Sequence, residues 1–110
     1  MQFKALLTLL VAAATSNAVV VDLFTNPDCT GLITSRNIFD NSCALLGGFS
    51  AYRITTSGPP GQQLTAYSRN ACAGPVTVCT PVAVTGSCVR ATNNDGASNA
   101  MSSSPVCGTV

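Results

Sequence analysis

The segment Phe24-Thr-Asn-Pro-Asp-Cys29-Thr-Gly31 returns later in the chain as Tyr67-Ser-Arg-Asn-Ala-Cys72-Ala-Gly74. The aromatic residue, the cysteine and the glycine have the same spacing in both copies. Each copy follows one short apolar stretch and precedes another, which predicts a β-hairpin with a structured turn. A repeat period of about forty residues indicates two copies of one supersecondary unit that share a core.

Eight short stretches have the alternating or β-branched character of strands, four for each copy. They are residues 19–24, 31–36, 40–43 and 49–55 in the first copy, and residues 64–67, 75–79, 86–90 and 97–102 in the second. The last of these is polar and is the weakest strand prediction. No window has the apolar spacing of a helix of normal length, and the Ser-Gly-Pro-Pro-Gly segment at 57–61 is a turn or linker. The chain is therefore predicted to be all-β, a two-sheet sandwich of two Greek keys at about 19–57 and about 62–104.

The first eighteen residues have the pattern of a secretory signal. Lys4 supplies the positive charge, residues 5–14 are apolar, and Ser16-Asn17-Ala18 offers a cleavage site. The apolar run is too short to span a bilayer. The alternative is a buried N-terminal helix. We expect residues 1–18 to be a signal peptide and residues 19–110 to be one secreted, extracellular domain.

The charges of the predicted mature domain cancel. Removal of the leader removes Lys4, the chain's lysine, and leaves four arginines and four aspartates in residues 19–110, with no Glu, His, Lys or Trp. Such a surface has no electrostatic footprint for nucleic acid or for an anionic membrane. Binding to either is not expected, and the oligomeric state stays open.

All six cysteines lie in this domain: Cys29, Cys43, Cys72, Cys79, Cys88 and Cys107. An even number in a small secreted chain predicts three disulfides. Cys29 corresponds to Cys72, and Cys43 lies much where Cys88 does in its copy. We therefore expect Cys29–Cys43 and Cys72–Cys88 within the copies, with Cys79–Cys107 holding the C-terminal tail. Zinc is the weaker alternative, because the chain has no histidine and no Cys-x-x-Cys pair.

An aromatic residue, a glycine seven positions later and a serine opening the fourth strand recur in both copies. They are Phe24, Gly31 and Ser50 in the first copy, and Tyr67, Gly74 and Ser98 in the second. This duplicated pattern resembles the Greek-key signature of the βγ-crystallins over nearly all of residues 19–110. The resemblance implies a left-handed turn at the glycine, covered by the aromatic ring. Cys29 and Cys72 stand where many crystallins have a second aromatic residue, a departure that suits a small secreted cysteine-rich protein of fungal type.

The same resemblance implies a candidate calcium site. Many microbial members of the family bind calcium through paired Asn/Asp residues and a following Ser or Thr at the start of the fourth strand. The second copy offers Asn94, Asp95 and Ser98, but Asn99 occupies the final serine position of the motif. Calcium takes six to eight oxygen ligands, so only weak binding is implied. The alternative is that Asn93-Asn-Asp-Gly96 is simply a turn. No other cofactor is expected.

Catalysis is not expected. Without His or Lys the chain has no Ser-His-Asp or Ser-Lys arrangement, and oxidised cysteines supply no thiolate. Nothing marks two of the four aspartates as an acid–base pair. Tyr52 and Arg53 are adjacent in a predicted strand and so point to opposite faces. One is expected to cover the core and the other to be solvated, although either residue type can be a binding anchor.

Three functions remain open. The leading hypothesis is a secreted, non-enzymatic binding or structural protein of the effector type, whose partner is an extracellular protein, a cell-wall component or a second copy. The second is an antagonist, because some yeast killer toxins and a bacterial metalloproteinase inhibitor resemble this fold. The third is a weak extracellular calcium-binding βγ-crystallin that uses Asn94, Asp95 and Ser98.

Overall fold

The computed structural model describes residues 18–94 and 96–110, and these residues form eight strands without a helix. The first half contains β1 (Ala18–Phe24), β2 (Leu32–Phe39), β3 (Ser42–Phe49) and β4 (Ala51–Thr56). The second half contains β5 (Gln63–Tyr67), β6 (Val76–Pro81), β7 (Cys88–Arg90) and β8 (Ser98–Ser104). All pairings between these strands are antiparallel. The prediction of an all-β, two-sheet chain is confirmed, whereas the predicted signal peptide lies almost wholly outside the described residues.

The two halves exchange their third strands. The first sheet has the order β2-β1-β4-β7, and the second has the order β3-β8-β5-β6. Each sheet therefore takes its first, second and fourth strands from one half and its remaining strand from the other. Reading the second sheet from the opposite end gives β6-β5-β8-β3, the same order with the halves interchanged. Neither half completes its own sheet.

A tight turn at Asp40 and Asn41 directs β3 away from the first sheet. Asn41 has a φ of 54°, a left-handed conformation that asparagine tolerates better than most residues. Its backbone N–H donates to the carbonyl oxygen of Ser103 in β8 at 2.6 Å. The chain thus leaves β2 and at once begins to pair with the second sheet.

The core lies between the two sheets. Val19, Val21 and Leu23 alternate along β1 and are almost completely buried, as the predicted period-two pattern requires. From the second sheet, Leu64 and Met101 pack into the same cluster. Burying one aliphatic side chain of this size contributes about 1.5–3 kcal/mol. The other buried members of this cluster are Ile38, Phe49, Tyr52, Ile54, Ala66, Val82 and Ala91.

Two strands differ from their predictions. β3 extends to Phe49 instead of ending at Cys43, because its backbone pairs with β8 despite two glycines near its end. β8 was predicted to be the weakest strand but is a seven-residue central strand of the second sheet. Its serines are buried and hydrogen bonded, so its polar composition does not place it at the surface.

The two repeated turns share a left-handed glycine and a buried aromatic residue. Gly31 and Gly74 have φ values of 75° and 97°, the left-handed region that favours glycine. Phe24 and Tyr67, which precede the turns, are both buried. The first turn is also closed by a hydrogen bond from the Thr25 backbone N–H to the Gly31 carbonyl oxygen at 2.9 Å.

The serines assigned to the repeat do not occupy equivalent positions. Phe24 pairs with Ala51, whereas its counterpart Tyr67 pairs with Ala100. Ala51 and Ala100 are therefore equivalent, and the residue equivalent to Ser50 is Asn99, one position after Ser98. The aligned serines of the sequence pattern are offset by one residue in the structure.

Substitution of the two turn glycines by alanine should cost unequal amounts of stability. Gly74→Ala should lower the free energy of unfolding by about 1–2 kcal/mol through left-handed strain alone. Its Cβ would meet only the flexible Arg69 side chain, at 3.4 Å. Gly31→Ala should cost about 1 kcal/mol more, because its Cβ would lie 2.1 Å from Thr25 Oγ1 and displace that hydroxyl from the Gly31 carbonyl. Urea unfolding of both variants measures the difference, and equal losses would contradict the steric explanation.

Candidate functional site

Three disulfides connect the elements that could carry a site. The bonds are Cys29–Cys88, Cys43–Cys72 and Cys79–Cys107, and all six cysteines are paired. The predicted bond between Cys79 and Cys107 is confirmed. The predicted bonds Cys29–Cys43 and Cys72–Cys88 are wrong.

The strand exchange explains the error. Cys43 and Cys88 do occupy equivalent third strands, β3 and β7, but each of these strands lies in the sheet of the other half. Cys29, in the turn after β1, therefore meets Cys88, and Cys72, in the turn after β5, meets Cys43. Each of these two bonds joins a turn of one half to a strand of the other. A closed loop of this kind contributes on the order of 2–4 kcal/mol.

The C-terminal tail, residues 105–110, lies across the outer face of the second sheet. The Thr109 carbonyl oxygen accepts hydrogen bonds from the hydroxyls of Ser102 at 2.9 Å, Ser104 at 2.8 Å and Tyr67 at 3.4 Å. The Gly108 backbone N–H donates to Thr65 Oγ1 at 3.0 Å. These hydroxyl-bearing residues of β5 and β8 are fully buried although they face away from the core. The tail thus covers a polar groove, which we call the tail groove.

The outer face of the first sheet has a different composition. It carries Asp22 on β1 and Arg53 on β4, which are direct cross-strand partners, and Arg90 on β7. The Arg53 guanidinium lies 5.4 Å from the centre of the Phe24 ring, a cation–π arrangement. Asp22 Oδ1 accepts a hydrogen bond from the Ser35 hydroxyl. Asp22 and Arg53 are half-buried, and Arg90 is exposed. We call this surface the Arg53 face.

Tyr52 and Arg53 point to opposite faces, as predicted. Tyr52 is fully buried in the core and its hydroxyl forms a hydrogen bond with Thr80 in the second sheet. Burial raises the pKa of Tyr52 to about 12, and the hydrogen bond with Thr80 partly opposes that shift. Desolvation also raises the pKa of Asp40, whose Oδ1 is buried without a hydrogen-bond partner. Tyr52 is a core residue, which leaves the half-buried Arg53 as the member of the pair that faces away from the core.

The calcium candidate is only partly described. Asp95 lies outside the described residues, and Asn94 is exposed in the turn where the backbones of Asn93 and Gly96 exchange two hydrogen bonds. Ser98 is fully buried, and its hydroxyl donates to the Ala91 carbonyl oxygen and also contacts Thr77 Oγ1, each at 2.6 Å. A calcium ion would have to compete with both of these bonds for the Ser98 oxygen. Calcium binding by Asn94, Asp95 and Ser98 stays a prediction.

The described residues hold no enclosed pocket and no group of three or more His, Cys, Asp or Glu side chains placed to bind a metal. Within residues 18–94 and 96–110, no helix has the length and apolar character needed to cross a bilayer. The chain matches no protein-family model, no curated protein and no solved structure.

Sequence reasoning did not identify the tail groove. A signal was present, because Ser102 and Ser104 fall on alternate positions of one strand and so share one face of it. Read as a half-buried strand with a hydroxyl face, followed by a disulfide-anchored tail, this pattern would have predicted the covered surface. The polar composition of the segment, taken alone, predicts a weak strand instead.

Ser102→Ala should destabilise the protein measurably, although serine is not a core residue type. Its buried hydroxyl bonds both Tyr67 Oη and the Thr109 carbonyl, each at 2.9 Å. Leaving these partners unsatisfied should cost about 1–3 kcal/mol of unfolding free energy. Ser57→Ala, at an exposed linker position, is the matched control and should change little. Urea midpoints that are equal for the two variants would contradict the role of the tail groove.

Proposed function

We propose that the chain is a secreted, non-enzymatic βγ-crystallin-like module that acts outside the cell by binding a partner. The observation that carries this proposal is the strand exchange sealed by Cys29–Cys88 and Cys43–Cys72. It builds a rigid body without a pocket among the described residues, and such a body offers its partners surfaces rather than a reaction chamber.

The crystallin-like assignment is supported by the pseudo-symmetric arrangement of the halves. In the proposed interpretation, each Greek key supplies its first, second and fourth strands to one sheet and its third strand to the other. Phe24 with Gly31 and Tyr67 with Gly74 open the two motifs at equivalent turns. The offset between Ser50 and Ser98 is a departure from the family pattern, so the proposal rests on topology and turns rather than on the serines.

Secretion is supported by the disulfides. Three disulfides in a domain of this size are typical of extracellular proteins. The leader pattern in residues 1–18 and the single domain at 19–110 agree with that localisation. In an oxidising compartment the three bonds offset the small core and let the module persist.

The absence of enzymatic activity is supported by composition. Residues 19–110 contain no His, Lys or Glu, so the usual general bases are limited to four aspartates. Asp22 is hydrogen bonded to Ser35 and Asp28 to the Thr30 hydroxyl, on separate elements. Neither geometry presents two carboxylates to one reacting group.

Labelled protein from a secreting host tests the proposal. The full chain, expressed in such a host, should appear in the medium beginning at Val19. Because the mature chain has no lysine, amine-reactive biotin attaches at its N-terminus alone. The labelled protein should retain an extracellular protein or cell-wall fraction saturably, and the reduced and alkylated protein is the matched control.

The alternatives have distinct outcomes in the same preparation. Equal retention by native and alkylated protein would contradict the binding module. Inhibition of yeast growth or of a metalloprotease would favour an antagonist. Heat on calcium titration, with a raised Tm, would favour the calcium-binding crystallin.

A further inference from the structure

We propose that the Arg53 face binds a peptide segment of another protein, with an acidic side chain of that segment paired to Arg53. The inference rests on the proposed function, that the chain is a binding module, and it names the surface and the chemistry of the partner. Its basis is the internal symmetry of the fold: the equivalent face of the second sheet already holds a peptide segment, the chain's own tail, which turns back over that face between Val106 and Thr109.

The tail shows how an outer sheet face of this fold holds a peptide. A side-chain oxygen on the first strand of the half, Thr65 Oγ1 on β5, accepts the Gly108 backbone N–H at 3.0 Å. A side-chain donor on the neighbouring fourth strand, Ser102 Oγ on β8, donates to the Thr109 carbonyl oxygen at 2.9 Å. The acceptor and the donor are direct cross-strand partners, and together they bind one backbone group from each of two consecutive tail residues.

Strand register identifies the same two positions on the first sheet. Because Phe24 is equivalent to Tyr67 and Ala51 to Ala100, Asp22 takes the place of Thr65 and Arg53 the place of Ser102. Asp22 and Arg53 are likewise direct cross-strand partners. The first sheet therefore also places a hydrogen-bond acceptor beside a donor. Here the two groups are a carboxylate and a guanidinium, whereas in the second sheet both are hydroxyls.

The Arg53 side chain is positioned to bind a ligand. Its guanidinium is held over the Phe24 ring at 5.4 Å and half-buried, yet it has no hydrogen bond or ion pair with any described residue. An arginine offers five N–H donors in a planar fork that matches a carboxylate. Partial burial strengthens such a charge-assisted bond relative to one in water.

The anchor of the tail has no equivalent on this face, so the proposal assigns the face to a segment of another chain. Cys79, which holds the tail through Cys107, is the cross-strand partner of Thr65, and the equivalent partner of Asp22 is Ser35. Thr65 and Ser102 are completely covered, whereas Asp22 and Arg53 keep part of their surface exposed. This face is thus built like the tail groove but lacks a tethered occupant among the described residues.

Charge complementarity selects an acidic segment. Arg53 and Arg90 both lie on this face, and the strands of this sheet carry one carboxylate, that of Asp22, which already accepts a bond from Ser35. A neutral backbone would leave the Arg53 charge unpaired, whereas an Asp or Glu side chain pairs with it. The Asp22 carboxylate retains capacity to accept a backbone N–H of the segment, as Thr65 does for the tail.

Two synthetic peptides test the proposal by NMR titration of the mature protein. The acidic probe is acetyl-Pro-Val-Ser-Gly-Asp-Val-amide, the tail sequence with serine for Cys107 and aspartate for Thr109, and the same peptide with asparagine in place of aspartate is its neutral control. The acidic probe should shift the backbone amide signals of Asp22, Arg53 and Cys88, and its binding should weaken with added salt. Arg53→Gln should weaken it by about tenfold or more, and Arg53→Lys by less.

Arg36→Gln is the matched control variant. It removes the same charge from the same sheet, but Arg36 pairs with the core-facing Val21 and so lies on the opposite side from Arg53. It should leave binding unchanged. The NMR dispersion of each variant verifies that it is folded.

The proposal is overturned if the acidic probe at millimolar concentration shifts none of these amides, or if Arg53→Gln binds it as tightly as the native protein does. Equal binding of the neutral peptide would also overturn the pairing with Arg53. These results are separable from the proposed function: retention of an extracellular partner that Arg53→Gln leaves intact would keep the binding module and reject this face as its site.

Discussion

The exchange of third strands between the two halves is the constraint on which the structure depends. β3 and β7 each complete a sheet built by the other half, so neither half has a closed sheet without its partner. The bonds Cys29–Cys88 and Cys43–Cys72 then join each turn to the incoming strand of the opposite half. Because the covalent links follow the exchange, they hold the two halves as one body instead of closing each half on itself.

A second consequence is that hydrogen-bonded polar groups contribute stability of the kind that buried apolar side chains usually provide. In addition to the core between the sheets, the second sheet has a covered outer face that carries hydroxyls. Thr65, Ser102 and Ser104 lose their water contacts there, but each hydroxyl has a hydrogen-bond partner in the chain. A satisfied polar layer of this kind avoids the cost of buried unpaired groups and fixes the position of the tail. The first sheet has no such cover among the described residues, and its outer face carries charges instead.

The local structure could be predicted from the sequence, whereas the pairing of distant parts could not. The alternation in β1, the left-handed glycines and the opposed side chains of Tyr52 and Arg53 depend on neighbouring residues, and each is as predicted. The disulfide pairs were predicted from the repeat in the sequence. Bonds within each half and bonds between the halves agree with that repeat equally well. Only the path of β3 and β7 distinguishes these two possibilities. That path is set at the Asn41 turn by a contact with the distant Ser103.

The candidate site was predicted only in part, for a related reason. Arg53 was identified as the residue of its pair able to face solvent, but its neighbour Asp22 lies on a different strand and becomes its partner only through register. The serines Ser50 and Ser98 seemed equivalent by counting along the chain, and the register shows that they are offset. The buried role of Ser98 follows from contacts with Thr77 and Ala91 that no local pattern encodes.

Digestion of the unreduced protein with trypsin tests the strand exchange most directly. Cleavage after the arginines gives peptides that carry Cys29 (ending at Arg36), Cys43 (residues 37–53), three cysteines (residues 70–90) and Cys107 (residues 91–110). Bonds between the halves hold all four in one species and release only residues 54–69. Bonds within the halves would instead give two separate species, one joining the first two peptides and one joining the last two. A single four-peptide mass is the result expected, and two two-peptide masses would contradict the exchange.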